Sequence, residues 1–204
     1  MKRGMTKEKR DVIRHFHEKD PLIHRVLARM EWDVLAPTEK PSGYFKRLCR
    51  EIISQQLGSR AATAIVGRFH GLFPGRRVTP ERVRALSEEQ LRAAGMSWAK
   101  ARALRDLAAK AEAREIMFEK FAAMPDEEII AELVRVKGIG PWTAEMFLIF
   151  TLGREDVFSR GDLALQKGLR HLHGANKTRT KNSAARITDK WKPYRSYASL
   201  ALWH

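Results

Sequence analysis

Along this chain the apolar positions recur at intervals of three and four, and no segment sustains the alternation of a half-buried strand. The pattern predicts an all-α protein. Asp20 and Pro21 open a helix whose face is Leu22, Ile23, Val26, Leu27 and Met30; Asp20 caps it, and Pro21 takes the first position, where a missing N–H costs nothing. Pro37 to Gly43 reads as a break. From Tyr44 a second helix carries Phe45, Leu48, Cys49, Ile52 and Ile53 and runs to Gln55-Gln56-Leu57, with Gly58 as its stop. Ser59 then caps a helix bearing Ala61, Ala62, Ile65, Val66 and Phe69.

Ser87 with Gln90 three residues on is a capping box, and its helix ends at Gly95. Ser97 caps the next one, where Ala101, Leu104, Leu107 and Ala108 face inward while Lys100, Arg102, Arg105 and Lys110 stay in water. Asp126, Glu127 and Glu128 put negative charge in the first turn of a helix bearing Ile129, Ile130, Leu133 and Val134. Val136-Lys137-Gly138-Ile139-Gly140-Pro141-Trp142-Thr143 is then a tight hairpin, followed by a helix from Pro141 to about Leu152. Leu163 to Arg170 is helical, Trp191 to Tyr194 is a break, and a last helix ends in Trp203.

The hairpin is where chemistry first enters. Gly138 and Gly140 permit positive φ, and amides facing outward at a helix start, aided by the helix dipole and by the charge of Lys137, make a site for a phosphate oxygen. Contacts of that kind carry no base information, so the element grips any DNA sequence. Its plain alternative is a connection between two packed helices.

Composition narrows the partner. Lys and Arg number 39 against 24 Asp and Glu, a net charge of +15, which favours a polyanion because each phosphate neutralised releases counterions. Between residues 167 and 195 stand nine Lys or Arg against the single acid Asp189, a basic face that suits DNA or plain solvent equally. A membrane is disfavoured, since the longest apolar stretch, Met146 to Leu152, is far too short to span and already holds Thr151. Cys49 is alone, so no internal disulfide forms and a reducing cytoplasm fits. Met1 to Lys7 has charge without an apolar segment behind it and is expected to be partly disordered.

The run V-K-G-I-G-P-W-T-A, with Asp162 twenty residues beyond Trp142, resembles the helix-hairpin-helix DNA glycosylases, in particular the 3-methyladenine branch that removes alkylated bases. Three further blocks match in order: Ile52 to Leu57, Ala94 to Ala101, and Trp191 to Ala198. The likeness runs from about Asp20 onward and lacks the β-domain that precedes the helices in some members. It implies a single helical domain of two lobes, 41–147 with the hairpin at 137–141, and 12–40 plus 148–204, with the active-site cleft between them. The lone cysteine excludes the four-thiolate iron–sulfur cluster of some relatives.

The resemblance also assigns roles. Asp162 matches the carboxylate that stabilises the sugar cation and orients water; on local sequence alone, Ser159-x-x-Asp162 fits a capping box and makes it structural. Glu155 and Asp156 are nearby competitors that do not match the motif. Trp142 and Trp203 match residues lining the base pocket, and Met146 and Leu163 stand there as aliphatics where certain relatives place aromatics. Either tryptophan could equally be core. Gln56 and Leu57 match the turn that enters the DNA, with Leu57 as wedge or as a core residue four after Ile53; Lys137, Gly138, Ile139, Gly140 and Thr143 match the DNA-gripping hairpin. The implied protein is a monomeric enzyme acting on damaged double-stranded DNA, in the cytoplasm on nucleoid or nuclear DNA, without a membrane partner. It needs no cofactor or metal site, a monovalent cation at the hairpin carbonyls being the one ion the resemblance leaves room for. Two other readings stay open: a non-catalytic DNA-binding module using the hairpin alone, and a bifunctional glycosylase-lyase for oxidised bases. The second requires a lysine where this chain has Trp142.

Overall fold

The computed structural model describes residues 6–178 and 180–204, with the side chains of 176, 177 and 181 left aside. Among the described residues all regular structure is helical: α1 Lys7–Lys19, α2 Pro21–Leu27, α3 Pro41–Ser54, α4 Ser59–Gly71, α5 Pro80–Ala85, α6 Glu88–Ala93, α7 Trp98–Glu112, α8 Asp126–Leu133, α9 Pro141–Phe150, α10 Leu163–His173, α11 Lys181–Thr188 and α12 Arg195–Trp203. The all-α expectation holds. No described helix is long and apolar enough to cross a membrane.

The chain divides into two compact units, Thr38–Phe147 and Met1–Pro37 with Leu148–His204. In the first, α3 packs on α4 and α7, and α5 lies along α7. Leu48, Ile52, Leu104, Leu107, Phe121 and Phe147 are fully buried there, so this unit removes enough apolar surface from water to hold its helices. Tyr44 and Phe121 meet Phe147 edge-on, at ring-centroid distances of 5.6 and 6.2 Å, which is a favourable arrangement for the ring quadrupoles.

The second unit gathers the two ends of the chain. Val12, Phe16, Ile23, Leu27, Leu169, Trp191 and Tyr197 form its core. Helix α1 is not predicted by the pattern, because its buried face rests on little more than Val12 and Phe16 amid charged residues; Thr6 caps it, so Lys7 is helical, while the disorder expected of residues 1–5 lies outside the described residues. Helix α10 approaches α12 so closely that a Cβ on Gly168 would stand 2.7 Å from the Leu202 carbonyl oxygen. Glycine is needed at that contact.

Helix ends follow the capping chemistry with some shifts. Ser87 and Gln90 form the full capping box, and Ser97 accepts the Lys100 N–H. Helix α3 starts three residues earlier than expected, at Pro41, because proline suits a first helical position and the break ends there. Helix α5 is also unpredicted; six residues with one buried side chain, Val83, leave almost no periodicity to detect. Helix α9 stops at Phe150, two residues short of the expected end.

Asp20 does more than cap. Its Oδ1 accepts the N–H groups of Leu22 and Ile23, at 3.1 and 3.3 Å, while Oδ2 accepts Trp191 Nε1–H at 2.7 Å and lies 3.2 Å from His173 Nε2. One buried carboxylate thereby joins α2, the end of α10 and the segment before α12. Burial opposes its charge, but the nearby His173 ring and the Trp191 N–H bond outweigh that and hold the carboxyl below its ordinary value. Asparagine caps a helix as well as aspartate does, so Asp20→Asn isolates the Trp191 and His173 contacts. Its expected effect is a loss of about 1–3 kcal/mol of unfolding free energy near neutral pH. A carboxyl with a depressed folded pKa stabilises above its unfolded value and loses that contribution as pH falls through the folded one, so the gap between wild type and variant should narrow below about pH 4. Urea unfolding of both proteins across the acid range measures it.

Candidate active site

The site is built from the end of α3. That helix stops at Ser54, and Gln56 takes φ 55°, in the left-handed region, whereas Gly58 has φ −68° and serves as the residue before α4. The glycine expected to stop the helix is therefore not the one that bends it, and Ser59 lies inside α4 rather than capping it. The bend is set by contacts from elsewhere. Gln55 Nε2 donates to the Gly138 carbonyl at 2.9 Å and lies 3.3 Å from Thr143 Oγ1, and Lys100 Nζ donates to the carbonyls of Ile53 and Gln55, each at 2.7 Å. Lys100, expected in water, is thus folded under the turn. Leu57 is left 37% exposed on it, so the alternative of core packing is removed.

At the hairpin, Gly138 has φ 80° and a Cβ there would stand 3.1 Å from Ala103 Cβ. Gly140 does not take positive φ, and nothing lies within 4 Å of the Cβ it lacks. The outward-facing amides expected of this loop are only partly present. Lys137 N–H donates to Asp106 Oδ2 at 2.8 Å and Ile139 N–H to the Val136 carbonyl at 3.1 Å, while the Ile139 side chain is buried. Two of the loop's amides are thus committed inside the protein, while the Lys137 side chain is exposed. Asp106 is a residue that spacing did not single out. Burial works against its charge, and the Lys137 N–H and the Lys110 ammonium, 2.9 Å away, draw its pKa below the ordinary value.

Gln56, Leu57, Gly138, Trp142, Thr143 and Met146 line one pocket of about 670 Å³, together with Glu51, Ser54 and Gln55. Trp142 is 48% exposed and Met146 is buried at its floor, so the alternative of Trp142 as core is excluded. Thr143 is buried, its hydroxyl turned to Gln55. Glu51, on the polar side of α3, and Gln55, at its C-cap, were not singled out as site residues, because periodicity carries no information at polar positions.

Three carboxylates of the other unit have separate fates. Glu155 Oε1 accepts the Tyr197 hydroxyl at 2.5 Å, and Asp156 holds Arg195 through both its oxygens, at 2.7 and 3.0 Å. Both are structural. Asp162 is itself the N-cap of α10, its Oδ1 accepting Leu165 N–H at 2.9 Å; Ser159 is not the cap but offers its carbonyl to Asp162 N–H. Asp162 is 8% exposed, and the adjacent Leu163 is 70% exposed. Trp203 is half-buried against Phe150, with centroids 5.7 Å apart.

A family model described as HhH-GPD superfamily base excision DNA repair protein matches residues 49–193. The chain belongs to the HhH-GPD superfamily. Among HhH-GPD relatives, DNA-3-methyladenine glycosylase 1 of Schizosaccharomyces pombe is 38% identical over 78% of this chain and 71% of that protein. A DNA-3-methyladenine glycosylase of Saccharomyces cerevisiae is 36% identical over 76% of this chain and 56% of its own length, so the chain spans little more than half of that relative. The crystal structure of a DNA-3-methyladenine glycosidase from Bacillus halodurans superposes with a TM-score of 0.81 at 33% identity, covering 94% of this chain and 87% of that one. The Schizosaccharomyces pombe 3-methyladenine DNA glycosylase in complex with abasic DNA gives 0.75 at 32% identity, with 95% of both chains covered.

The two hairpin glycines of this HhH-GPD chain should behave differently. Gly138→Ala meets both a left-handed backbone and Ala103, and is expected to cost about 1–2 kcal/mol of stability. Gly140→Ala meets neither and should stay within about 0.5 kcal/mol of wild type. Thermal unfolding of the two variants side by side checks the contrast.

Proposed function

We propose that this HhH-GPD protein is a DNA glycosylase that hydrolyses the N-glycosidic bond of alkylated purines, of the 3-methyladenine and 7-methylguanine type, in duplex DNA and leaves an abasic site. The observation that carries the reading is the single pocket shared by the Leu57 turn, the hairpin and Trp142. An enzyme that acts on a base inside a duplex must extrude it, fill the gap with an apolar side chain and receive the base against an aromatic face. Leu57 is the exposed wedge, Trp142 the exposed indole for an electron-poor purine, and Lys137 with the start of α9 the anchor on the phosphate backbone.

Asp162 supplies the charge. Departure of the base leaves positive charge on the sugar, and a carboxylate ~4 Å away at an effective dielectric near 20 is worth about 4 kcal/mol, or on the order of a thousandfold in rate. Alkylated purines already carry positive charge, so no strong acid is needed to release them. Capping and catalysis are compatible in Asp162, because the Leu165 N–H bond engages Oδ1 and fixes the orientation of the carboxyl group.

The partner is damaged double-stranded DNA, bound by a monomer that works in a reducing compartment on the nucleoid or in the nucleus. No cofactor takes part in the reaction. A monovalent cation at the hairpin carbonyls is compatible with the residues present: Gly138 oxygen accepts Gln55 Nε2 and keeps a second lone pair. Such an ion would brace the loop, with no step of the chemistry passing through it. Trp142 stands where lyase relatives place a lysine, and an indole offers no amine, so water is the nucleophile.

Asp162→Asn tests the chemistry cleanly because asparagine preserves the cap. Release of 3-methyladenine from methylated duplex DNA should fall by about a hundredfold or more while affinity for DNA holds. Near-normal turnover would return Asp162 to the role of cap alone, and absence of release by the wild type would favour a non-catalytic binding module. With sodium borohydride and lesion DNA, no covalent adduct should be trapped, and strands should break only after alkali. A stable adduct lost on mutation of Lys137 or Lys167 would make the protein a lyase.

A further inference from the structure

Beneath the Leu57 turn, the mechanism above leaves one charged side chain unused. Lys100 leaves the first turn of α7, yet its ammonium reaches two carbonyls at the end of α3, those of Ile53 and Gln55, each at 2.7 Å. These belong to the last turn of a helix, where carbonyls lack intrahelical partners and the dipole is negative. The next residue, Gln56, is a non-glycine residue in the left-handed region, a conformation that persists only where neighbours impose it. Leu57 follows directly and is exposed. On the far side, Gln55 Nε2 ties the same turn to the Gly138 carbonyl.

We infer that Lys100 is a positioning residue for base extrusion: its ammonium clamps the Ile53 and Gln55 carbonyls and so fixes the left-handed Gln56 that aims Leu57 at the duplex. The assignment rests on the wedge role proposed for Leu57. Lys100 is assigned to act through the turn rather than on the reacting atoms. It acts by holding the wedge ready before DNA arrives, so that the ordering of the turn is not subtracted from the energy of flipping. The desolvation of its ammonium, which lowers its pKa, agrees with a group held under the turn rather than in bulk water.

The test is Lys100→Met, which keeps an unbranched side chain one atom shorter and removes its three donors. Hydrogen exchange of residues 55–58 in the free protein, without DNA, should quicken by about tenfold, as expected for loss of a charged hydrogen-bond pair. Unchanged protection there overturns the clamp whatever the protein's activity. Single-turnover release of 7-methylguanine should fall by about tenfold in a fully paired duplex, but by less than about twofold when the lesion sits in an unpaired bubble and needs no wedge. In the Leu57→Ala background the Lys100→Met change should add nothing further to the loss. Equal losses on paired and unpaired substrates, or additive effects with Leu57→Ala, would overturn the positioning role. If the wild type releases no base, the glycosylase reading fails while the exchange result still decides the clamp. Lys100→Gln, with one shorter donor, replaces Lys100→Met if the latter does not fold, and the same order of effects is expected.

Discussion

The end of α3 has to satisfy its carbonyls while turning sharply enough to expose a leucine, and much of the Thr38–Phe147 unit answers that requirement. Helix α7 contributes Lys100 to the Ile53 and Gln55 carbonyls, and the hairpin receives Gln55 through the Gly138 oxygen. The hairpin is in turn fixed by the Asp106 carboxylate, which takes the Lys137 amide. Two side chains of α7, six residues apart, therefore hold the two loops that line the pocket. Being about 1.7 helical turns apart, they leave α7 in directions roughly 120° apart, which suits one helix holding two different loops.

The hairpin shows how far a motif can be pared down. Of its two glycines only Gly138 needs glycine for conformation, because it has φ 80° and sits against Ala103. Gly140 has ordinary backbone and open space around its missing side chain. Under the proposed function, that open space beside a helix start leaves room for the close approach of a phosphate.

In the unit formed by both chain ends, the acids are distributed by what they hold. Glu155 and Asp156 fasten the start of α12 through Tyr197 and Arg195, and Asp20 fastens α2 through Trp191. Asp162 alone combines a cap with a place beside an exposed Leu163. Glu155, Asp156 and Asp20 each hold another side chain and are thereby committed to the fold.

The sequence by itself determined the helical class, the family, and several helix caps whose partners lie within one turn, though it misplaced the cap of α4 at Ser59. Asp20, Ser87 and Ser97 cap as read, because a cap bond joins residues two or three apart and its chemistry is local. It did not reveal α1, α5 or α11, where a buried face of one or two side chains gives too weak a period. Tertiary structure alone decided that Gln56 bends the chain instead of Gly58, that Lys100 leaves water, and that Asp106 consumes the Lys137 amide. The Lys100 and Asp106 contacts join residues 31 to 47 positions apart, and Gln55 reaches Gly138 across 83. Polar side chains at such separations follow no period, and their partners are set only when the apolar faces have packed.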